Sequence, residues 1–226
     1  IDREADGPSR SITVRATSTD GSFTDQNFSI DINDLDEFDV GTVTDTNATS
    51  NNVNENATVG TIVGITASAS DVDATNNTIT YSLQNNDGGR FAIDSTTGVV
   101  TVAGDIDREA DGPSRSITVR ATSADGSFTD QNFSIAINDV DEFDVGSVTD
   151  TNATINNVNE NAAVGTTVGI TASASDFDAT DNTITYSLLN NVGGRFAIDS
   201  TTGVVTVAGD IDRVAVGASR SITVRA

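Results

Sequence analysis

The chain has 226 residues, of which 34 are acidic and 11 basic, so its formal net charge at pH 7 is −23. Every basic residue is arginine, and lysine, histidine, cysteine, methionine and tryptophan are missing from the sequence. This composition excludes disulfide bridges, thiolate metal sites, histidine as a general base, thiolate nucleophiles and Schiff-base lysines. It also disfavours nucleic acid as a partner, because phosphate binding needs a basic surface.

A repeat of 105 residues organises the chain. The tripeptide IDR recurs at Ile1, Ile106 and Ile211, and residues 1–39 are nearly identical to residues 106–144. A period of this length indicates an array of domains. We therefore expect three parts: the C-terminal part of one repeat, with strands F and G, over 1–38, a complete repeat over 39–143, and a third repeat lacking its last strand over 144–226.

The complete repeat has the pattern of short β-strands. Apolar and polar residues alternate over 78–84 (TITYSLQ) and 132–138 (NFSIAIN), as in strands with one buried face. Turn sequences such as NNDGG and DSTTG separate the other runs, which lie at 61–69, 90–94, 99–103, 116–122 and, more weakly, 53–59. The predicted fold class is all-β, with tandem immunoglobulin-like sandwiches of seven strands each.

Two acidic runs, INDLDEFDV over 32–40 and INDVDEFDV over 137–145, lie one period apart where successive repeats meet. Clustered carboxylates supply the six to eight oxygen ligands that Ca²⁺ prefers, whereas Mg²⁺ keeps more of its water. The alternative is an acidic face in contact with solvent, which is the usual fate of a charge run. An EF-hand is disfavoured, because DVDATNN lacks the glycine at its sixth place.

An enzyme is disfavoured as well. A carboxylate pair could hydrolyse a glycosidic bond, but here the paired acids recur at each junction, whereas an enzyme would have one cleft. Tyr81 and Tyr186 occupy inward strand positions and are interpreted as core residues. The glycine pair at Gly88 and Gly89 precedes a strand, which indicates a turn rather than a phosphate-binding loop.

Five spaced motifs of the complete repeat carry a resemblance to a known family: VNENA, SDVDATNNTITYSL, FAIDSTTGVVTVAGDIDRE, SITVRATSADG and INDVDE. In this order they resemble a cadherin repeat of the bacterial kind, over the whole period. The resemblance implies Ca²⁺ ions between successive domains, bound by acidic residues of both.

The resemblance also implies two ligand sets. At the first junction the set is Asp2, Glu4, Asp34, Asp36, Glu37, Asp71 and Asp73, with Asn76 at a carbonyl ligand position. At the second it is Glu55, Asp107, Glu109, Asp139, Asp141, Glu142, Asp176 and Asp178, with the backbone carbonyl of Val140 and with Asp181 in the place of Asn76.

Three positions depart from the family pattern. Cadherins usually place an Asp at the end of strand F, but Ser123 stands there and the nearest acid is Asp125. In the third repeat Val214 replaces Glu109 and Val216 replaces Asp111, so we expect a weaker site at that end.

The sequence favours a calcium-rigidified structural or adhesive segment of a large bacterial extracellular or cell-surface protein, such as an adhesin stalk or filament. The alternative is a calcium-dependent module for binding carbohydrate or another copy of itself. Expected partners are neighbouring repeats or copies of the same chain, and surface or matrix glycans, with neither nucleic acid nor membrane insertion in this segment. The chain starts and stops inside repeats, so we expect a segment of a longer protein, or end domains completed by strand exchange between chains.

Overall fold

A computed structural model describes residues 1–226 apart from the side chain of Val216. Val216 stands in the third repeat where the complete repeat has Asp111, so this predicted replacement lies partly outside the described residues. The described chain divides into two compact units, Ile1–Asn138 and Asp139–Ala226. The repeat boundaries predicted near residues 38 and 143 stay a prediction.

The described residues form sixteen strands and three short helices, which confirms the all-β class. In the first unit these are α1 (Arg3–Asp6), β1 (Ser9–Thr17), β2 (Phe23–Asp31), β3 (Thr44–Asp45), β4 (Asn52–Asn54), β5 (Ile62–Ser68), β6 (Thr80–Asn85), β7 (Phe91–Ile93), β8 (Val99–Val102), α2 (Arg108–Asp111), β9 (Ser114–Thr122) and β10 (Phe128–Asn138). In the second they are β11 (Thr149–Asp150), β12 (Thr167–Ser173), β13 (Ser187–Asn190), β14 (Phe196–Ile198), β15 (Val204–Val207), α3 (Arg213–Val216) and β16 (Thr223–Arg225).

The complete repeat is a sandwich of two four-stranded sheets, ordered β4-β10-β9-β6 and β3-β5-β8-β7. Its first strand is split between them, because β3 pairs antiparallel with β5 while β4 pairs parallel with β10. The turn between the two pieces is held by Asp45, whose Oδ1 accepts hydrogen bonds from the backbone N–H groups of Asn47 (2.9 Å) and Thr66 (3.0 Å). Counted as one strand, the two pieces give the seven strands predicted, although the run at 53–59 is a strand only over Asn52–Asn54.

The core of this sandwich follows from the alternation of its strands. On β5, Val63, Ile65 and Ala67 point inward, and on β9 the same is true of Ile117 and Val119; all five are at most 2% exposed. Burying one such aliphatic side chain contributes about 1.5–3 kcal/mol. The other buried residues of this core are Val40, Val43, Val53, Phe91, Val100, Val102, Ile106, Ala121, Ile135 and Ile137.

The tyrosines predicted to be core residues pack as expected. Tyr81 packs against the core of the first unit, and its hydroxyl accepts a hydrogen bond from the backbone N–H of Ala69 at 3.0 Å. Tyr186, 9% exposed, accepts the equivalent bond from Ala174 at 3.1 Å. Each hydroxyl therefore ties one sheet to the loop that follows β5 or β12.

The IDR motifs form single helical turns, which the strand pattern did not predict. Asp2, Asp107 and Asp212 are the N-caps of α1, α2 and α3, and the side chain of each accepts a backbone N–H of its helix. Each described helix spans four residues, and none is long or apolar enough to cross a membrane.

The third repeat has the sheet β11-β12-β15-β14 and the pair β13-β16, while residues 1–38 contribute the hairpin β1-β2. The β1-β2 register pairs Ser9 with Asp31 and Thr17 with Phe23 without a break. The β9-β10 hairpin has the same register one period later, from Ser114 with Ala136 to Thr122 with Phe128.

A glycine marks the irregular point of β5. The pairing of β5 with β8 shifts between Ile62 and Thr66, and Gly64 lies inside that shift with φ +87°. A Cβ atom on Gly64 would lie 2.4 Å from the backbone oxygen of Ser50. Only glycine accommodates both the backbone angle and this close approach.

We predict that Gly64→Ala destabilises the complete repeat much more than Gly60→Ala. Gly60 has φ +94° with nothing within 4 Å of its Cβ position, so Gly60→Ala costs only the backbone term of about 1–2 kcal/mol. Gly64→Ala adds a clash with backbone worth about a further 1–3 kcal/mol. Denaturant unfolding of the two variants measures the difference, and equal losses would contradict the close approach.

Candidate metal centre

Four acidic segments meet within the first unit. They are α1 with its N-cap, the residues that follow β2, the loop that follows β5, and the turn between β9 and β10. These segments carry the whole ligand set predicted for the first junction, so the structure brings that set to one end of the complete sandwich. We call this group of residues the first acidic centre; its members are Asp2, Glu4, Asp34, Asp36, Glu37, Asp71, Asp73 and Asp125.

Asp73 ties two of these segments together. It is only 3% exposed, and its two carboxylate oxygens accept hydrogen bonds of 3.3 Å from the backbone N–H groups of Glu37 and Phe38. Its own N–H donates to Oδ1 of Asp71 at 3.1 Å. The loop after β5 is thereby fixed against the acidic run before the protein meets any ligand.

Three carboxylates of the centre crowd together. One oxygen each of Asp36, Asp73 and Asp125 lies within 4.8 Å of the other two. Loss of water around the Asp36 carboxylate, followed by the charges of Asp125 and Asp73, raises the pKa of Asp36 above its usual value. The pKa of Glu37 is raised likewise, first by loss of water and then by the charge of Glu4. The centre therefore holds more negative charge than it can balance by itself.

Glu4 supplies the clearest sign that the centre suits a cation. Its Oε1 accepts a hydrogen bond from the backbone N–H of Ala74 at 3.2 Å. Its Oε2 is shielded from water and has no hydrogen-bond partner among the described residues. A buried carboxylate oxygen without a donor is costly, and a bound cation removes that cost. The donor set, made of carboxylate and carbonyl oxygens, matches the ligands that Ca²⁺ prefers.

Asp34 is held by neighbours of both signs. Its Oδ2 accepts a hydrogen bond from the hydroxyl of Thr75, which is the largest cause of its lowered pKa. Its Oδ1 lies 3.6 Å from Nε of Arg3. Thr75 was not predicted as part of the centre, because a hydroxyl that orients a ligand leaves no charge pattern in the sequence.

Ser123, which stands where the family pattern has an Asp, lies close to two predicted ligand residues. Ser123 is 4% exposed, and its Oγ lies within hydrogen-bond distance of Oδ2 of Asp71 (2.5 Å) and of the backbone oxygen of Asn76 (2.9 Å). Asp125, two residues further on, brings its carboxylate to Asp36 and Asp73. The hydroxyl thus contacts two predicted ligand residues, and the acid nearest to position 123 in sequence also lies beside two others.

The residues predicted for the second junction are divided between the two units, and each unit is described by itself. In the first unit, Glu55 is 1% exposed and accepts a hydrogen bond from the backbone N–H of Arg108. A carboxylate oxygen of Glu109 lies within 4.8 Å of one of Glu55. Asp107 is committed to capping α2, since its Oδ1 accepts the N–H of Ala110 at 2.8 Å.

In the second unit the arrangement around Asp73 recurs at Asp178. Asp178 is 4% exposed, and it accepts hydrogen bonds from the backbone N–H groups of Glu142 (3.2 Å) and Phe143 (3.3 Å). The N–H of Asp178 donates to Oδ1 of Asp176 at 3.3 Å. A hydrogen bond with Asp178, followed by its charge, raises the pKa of Asp141.

The remaining predicted residues of the second unit lie near this arrangement in sequence. The Oδ2 of Asp139 accepts a hydrogen bond from the hydroxyl of Thr180, as Asp34 does from Thr75. Val140 is 36% exposed. Asp181 and its counterpart Asn76 both have φ +55°, a left-handed conformation that Asp and Asn tolerate better than most residues. That backbone angle explains why the two residue types exchange at this position.

Comparison with known proteins gives one family. A family model described as "Cadherin domain" matches residues 49–138 and 156–226. Comparison with curated proteins gives no match.

Solved structures of the same architecture are numerous. Mouse cadherin-23 EC22-24 is 25% identical with a TM-score of 0.72, over 95% of this chain and 68% of that one. Human CDH23 EC21-23 is 22% identical with a TM-score of 0.72, over 92% and 66%. Protocadherin gammaB7 EC3-6, described as a cis-dimer, is 19% identical with a TM-score of 0.72, over 94% and 53%. The chain thus spans about half to two thirds of the length of these structures.

We predict that Ser123→Ala raises the pKa of Asp71 toward 3.8, because the Ser123 hydroxyl is the largest cause that lowers it. A lowered pKa in the folded state contributes stability that is present above pH 3.8 and is lost as the pH falls through the folded value. The stability difference between the variant and the native chain should therefore shrink on acidification.

Carboxyl-detected NMR titration of the calcium-free chain measures this pKa. Ser116→Ala is the matched control, since Ser116 is an exposed serine on β9, the strand that Ser123 follows. An unchanged pKa for Asp71 in Ser123→Ala would contradict the assignment.

Proposed function

This chain belongs to the cadherin domain family, whose members are extracellular, non-enzymatic adhesion modules, and from that premise we propose that it is a calcium-rigidified segment of a large bacterial surface or secreted protein. The observation that carries the proposal is the first acidic centre. It combines the crowded carboxylates of Asp36, Asp73 and Asp125 with a Glu4 oxygen that is buried without a hydrogen-bond donor among the described residues.

The residues that would hold Ca²⁺ at the first centre come from two successive repeats. Asp2, Glu4, Asp34, Asp36 and Glu37 precede the complete repeat, whereas Asp71, Asp73, Asp125 and the Asn76 carbonyl belong to it. Bound calcium would supply positive charge and a coordination shell of six to eight oxygens. Because the ligands are shared between repeats, binding would restrict their relative motion, which is otherwise the default for neighbouring domains.

The protein's own hydrogen bonds prepare this joint. The bonds from Glu37 and Phe38 to Asp73, and from Ala74 to Glu4, already connect the segments that would share an ion. These hydrogen bonds do not balance the negative charge of the clustered carboxylates. We infer that calcium balances the charge of a joint whose backbone is already arranged, and that the set around Asp178, Asp141 and Glu142 serves the next joint in the same way.

The near-identity of successive repeats supports a spacer that extends a binding tip from a cell. Seven Ig-type strands without a disulfide leave metal as the available cross-link, and extracellular calcium modules bind at about 10⁻⁴–10⁻³ M, a range filled outside cells. We propose an extracellular or cell-surface location on these grounds, as part of a bacterial adhesin stalk, filament or biofilm component, with neighbouring repeats or copies of the chain as partners.

We predict that calcium raises the melting temperature of the chain and that Asp73→Asn with Asp178→Asn removes most of this increase. At 100 times the dissociation constant, one site adds about 2.7 kcal/mol to the free energy of unfolding. Asp125→Asn should weaken binding at the first centre alone. Calorimetric titration with Ca²⁺ and thermal unfolding with and without chelator measure both effects.

Two substitutions serve as controls for this experiment. Asp31→Ala removes an acid just before the acidic run 32–40, at a position where the next repeat has Ala136. Asp20→Asn removes the residue of the β1-β2 hairpin that corresponds to Asp125. Both should bind calcium like the native chain. A native chain whose unfolding is unaffected by chelation would contradict the proposal.

The alternative function is a calcium-dependent module that binds carbohydrate or a copy of itself. The structure offers exposed rings at Phe177, Phe23 and Phe128, which are 72%, 58% and 56% exposed. However, the guanidinium of Arg120 lies 3.8 Å from the centroid of the Phe128 ring, and that of Arg15 lies 3.9 Å from that of Phe23. One face of each of these two rings is therefore already covered by a cation–π contact, which leaves less surface for a sugar.

A glycan array probed with the chain in calcium separates the two functions. A spacer gives no saturable signal on the array. Saturable binding would instead favour the carbohydrate module if Phe128→Ala abolished it and the control Thr19→Ala did not. Thr19 is the control because the next repeat has Ala124 at the same place.

A further inference from the structure

In the complete repeat, two arginines share one buried carboxylate. Nε and Nη2 of Arg90 donate to the two oxygens of Asp111, at 3.0 and 2.7 Å. Nη2 of Arg115 also donates to Asp111, whose side chain is only 9% exposed. The backbone N–H of Asp107 completes the surroundings at 3.4 Å. Asp111 is thus an acceptor for three groups at the C-terminal end of α2.

A second acid completes this arrangement. Oδ2 of Asp87 lies 3.2 Å from Nε of Arg115, and the backbone oxygen of Asp87 accepts a bond from Nη1 of Arg90 at 3.2 Å. Two guanidinium groups are therefore matched by two carboxylates. The forked contact of Arg90 with Asp111 is the strong, charge-assisted kind, whereas Nε of Arg115 and Oδ2 of Asp87 form an ion pair without a hydrogen bond.

The third repeat keeps both arginines but neither acid. One period later, Arg195 and Arg220 stand for Arg90 and Arg115, while Val192 and Val216 stand for Asp87 and Asp111. Only eleven positions differ between residues 40–121 and 145–226, so the loss of both facing acids is concentrated at one place. Valine has no oxygen with which to replace a carboxylate.

The contact between the two segments that carry the arginines is kept, although Arg115 lies in β9 and Arg220 precedes β16. The side chain of Asn190 donates to the backbone oxygen of Ser221 at 3.0 Å, as Asn85 does to Ser116 at 3.2 Å. Val192 keeps φ +57°, close to the +55° of Asp87, although this angle is unfavourable for a β-branched residue. The turn that faced the arginines is therefore preserved without its carboxylate.

The arginine side chains show the consequence. Nη1 of Arg195 still donates to the backbone oxygen of the turn, at Val192, with a distance of 3.0 Å. Its Nε is shielded from water and has no hydrogen-bond partner among the residues that the structure describes. Arg220 is exposed, and its Nη2 lies 3.7 Å from where a Cβ of Gly217 would be. The third repeat thus carries two guanidinium groups whose carboxylate partners are missing.

We propose that Arg195 and Arg220 form a binding site for a carboxylate group supplied from outside the third repeat, in place of the acids that the complete repeat provides itself. A guanidinium donates two N–H groups in a fork to the two oxygens of a carboxylate, and the Nη groups of Arg195 and Arg220 are the donors that an outside carboxylate meets, since Nε of Arg195 is shielded from water. The chain's net charge of −23 repels large polyanions, but a small carboxylate feels mainly charges within a Debye length of about 8 Å. The site does not depend on calcium or on the function proposed above.

The test is an NMR titration of the arginine Nε–H signals of the native chain with acetate, at constant ionic strength with chloride as the reference salt. We expect saturable shifts at Arg195 and Arg220 and none at Arg90 and Arg115, whose guanidinium groups are occupied. Shifts of equal size in both repeats, or shifts matched by chloride, would overturn the proposal.

Two variants sharpen this titration. Val192→Asp with Val216→Asp restores the acids of the complete repeat and should weaken acetate binding by about tenfold or more, because the fork is then filled internally. Arg195→Lys keeps the charge without the fork and should weaken binding as well, independently of whether the double variant folds. Unchanged acetate affinity in Arg195→Lys would show that a fork is not used.

The carboxylate can come from a free molecule or from an acidic side chain of a second copy of the chain. Spectra recorded without acetate at low and high protein concentration distinguish these sources. Concentration-dependent shifts at Arg195 and Arg220 identify a second copy, whereas concentration-independent spectra that respond to acetate identify a free carboxylate. Absence of both responses would refute the site.

Discussion

Repulsion between carboxylates is the constraint on which the joint of this molecule depends. One carboxylate oxygen each of Asp36, Asp73 and Asp125 lies within 4.8 Å of the other two. They are held there by bonds that do not neutralise them, namely the N–H groups of Glu37 and Phe38 on Asp73. The sandwich thus supplies geometry, and the charge must be balanced from solution. This division explains how a domain with a core of Val, Ile and Ala can present so acidic an end.

The acidic residues of the chain are of two kinds, those that pair with arginine within the fold and those that lie beside other acids. Asp130 pairs with Arg120 through two bonds of 2.8 Å, and Asp111 pairs with Arg90 and Arg115, so these acids are satisfied within the fold. The acids of the first acidic centre face mostly one another. With eleven arginines for thirty-four acids, the fold has too few cations to pair every carboxylate.

Much of the fold could be predicted from the sequence, because alternation of apolar residues and an exact repeat are strong local signals. The split of the first strand could not be predicted in the same way. Thr44–Asp45 and Asn52–Asn54 are two and three residues long, too short to show alternation, and their placement depends on pairing with β5 and β10. The helical turn at Arg108–Asp111 could not be predicted from the sequence either, because four residues are too few to show a helical periodicity.

At the site, the sequence identified the acids, but it could not show how they are oriented. Glu55 was predicted from a motif, whereas its burial and its bond from the Arg108 N–H follow from tertiary packing. Asp125 was noted only as the acid nearest to a departure from the family pattern. Its role became visible when the β9-β10 turn placed it beside Asp36, because spatial proximity across 89 residues of chain leaves no local trace in the sequence.

The parallel pairing of β4 with β10 has a mechanical consequence. These strands lie toward the two ends of the complete repeat, and they are joined by bonds from Ala136 N to Asn51 O (2.9 Å) and from Glu55 N to Asn138 O (3.0 Å). Tension applied through the chain pulls parallel neighbours in opposite directions along their length, so it loads these bonds together in shear instead of opening them one after another. The strand that leads directly into Glu55 is therefore also the one that resists stretching of the repeat.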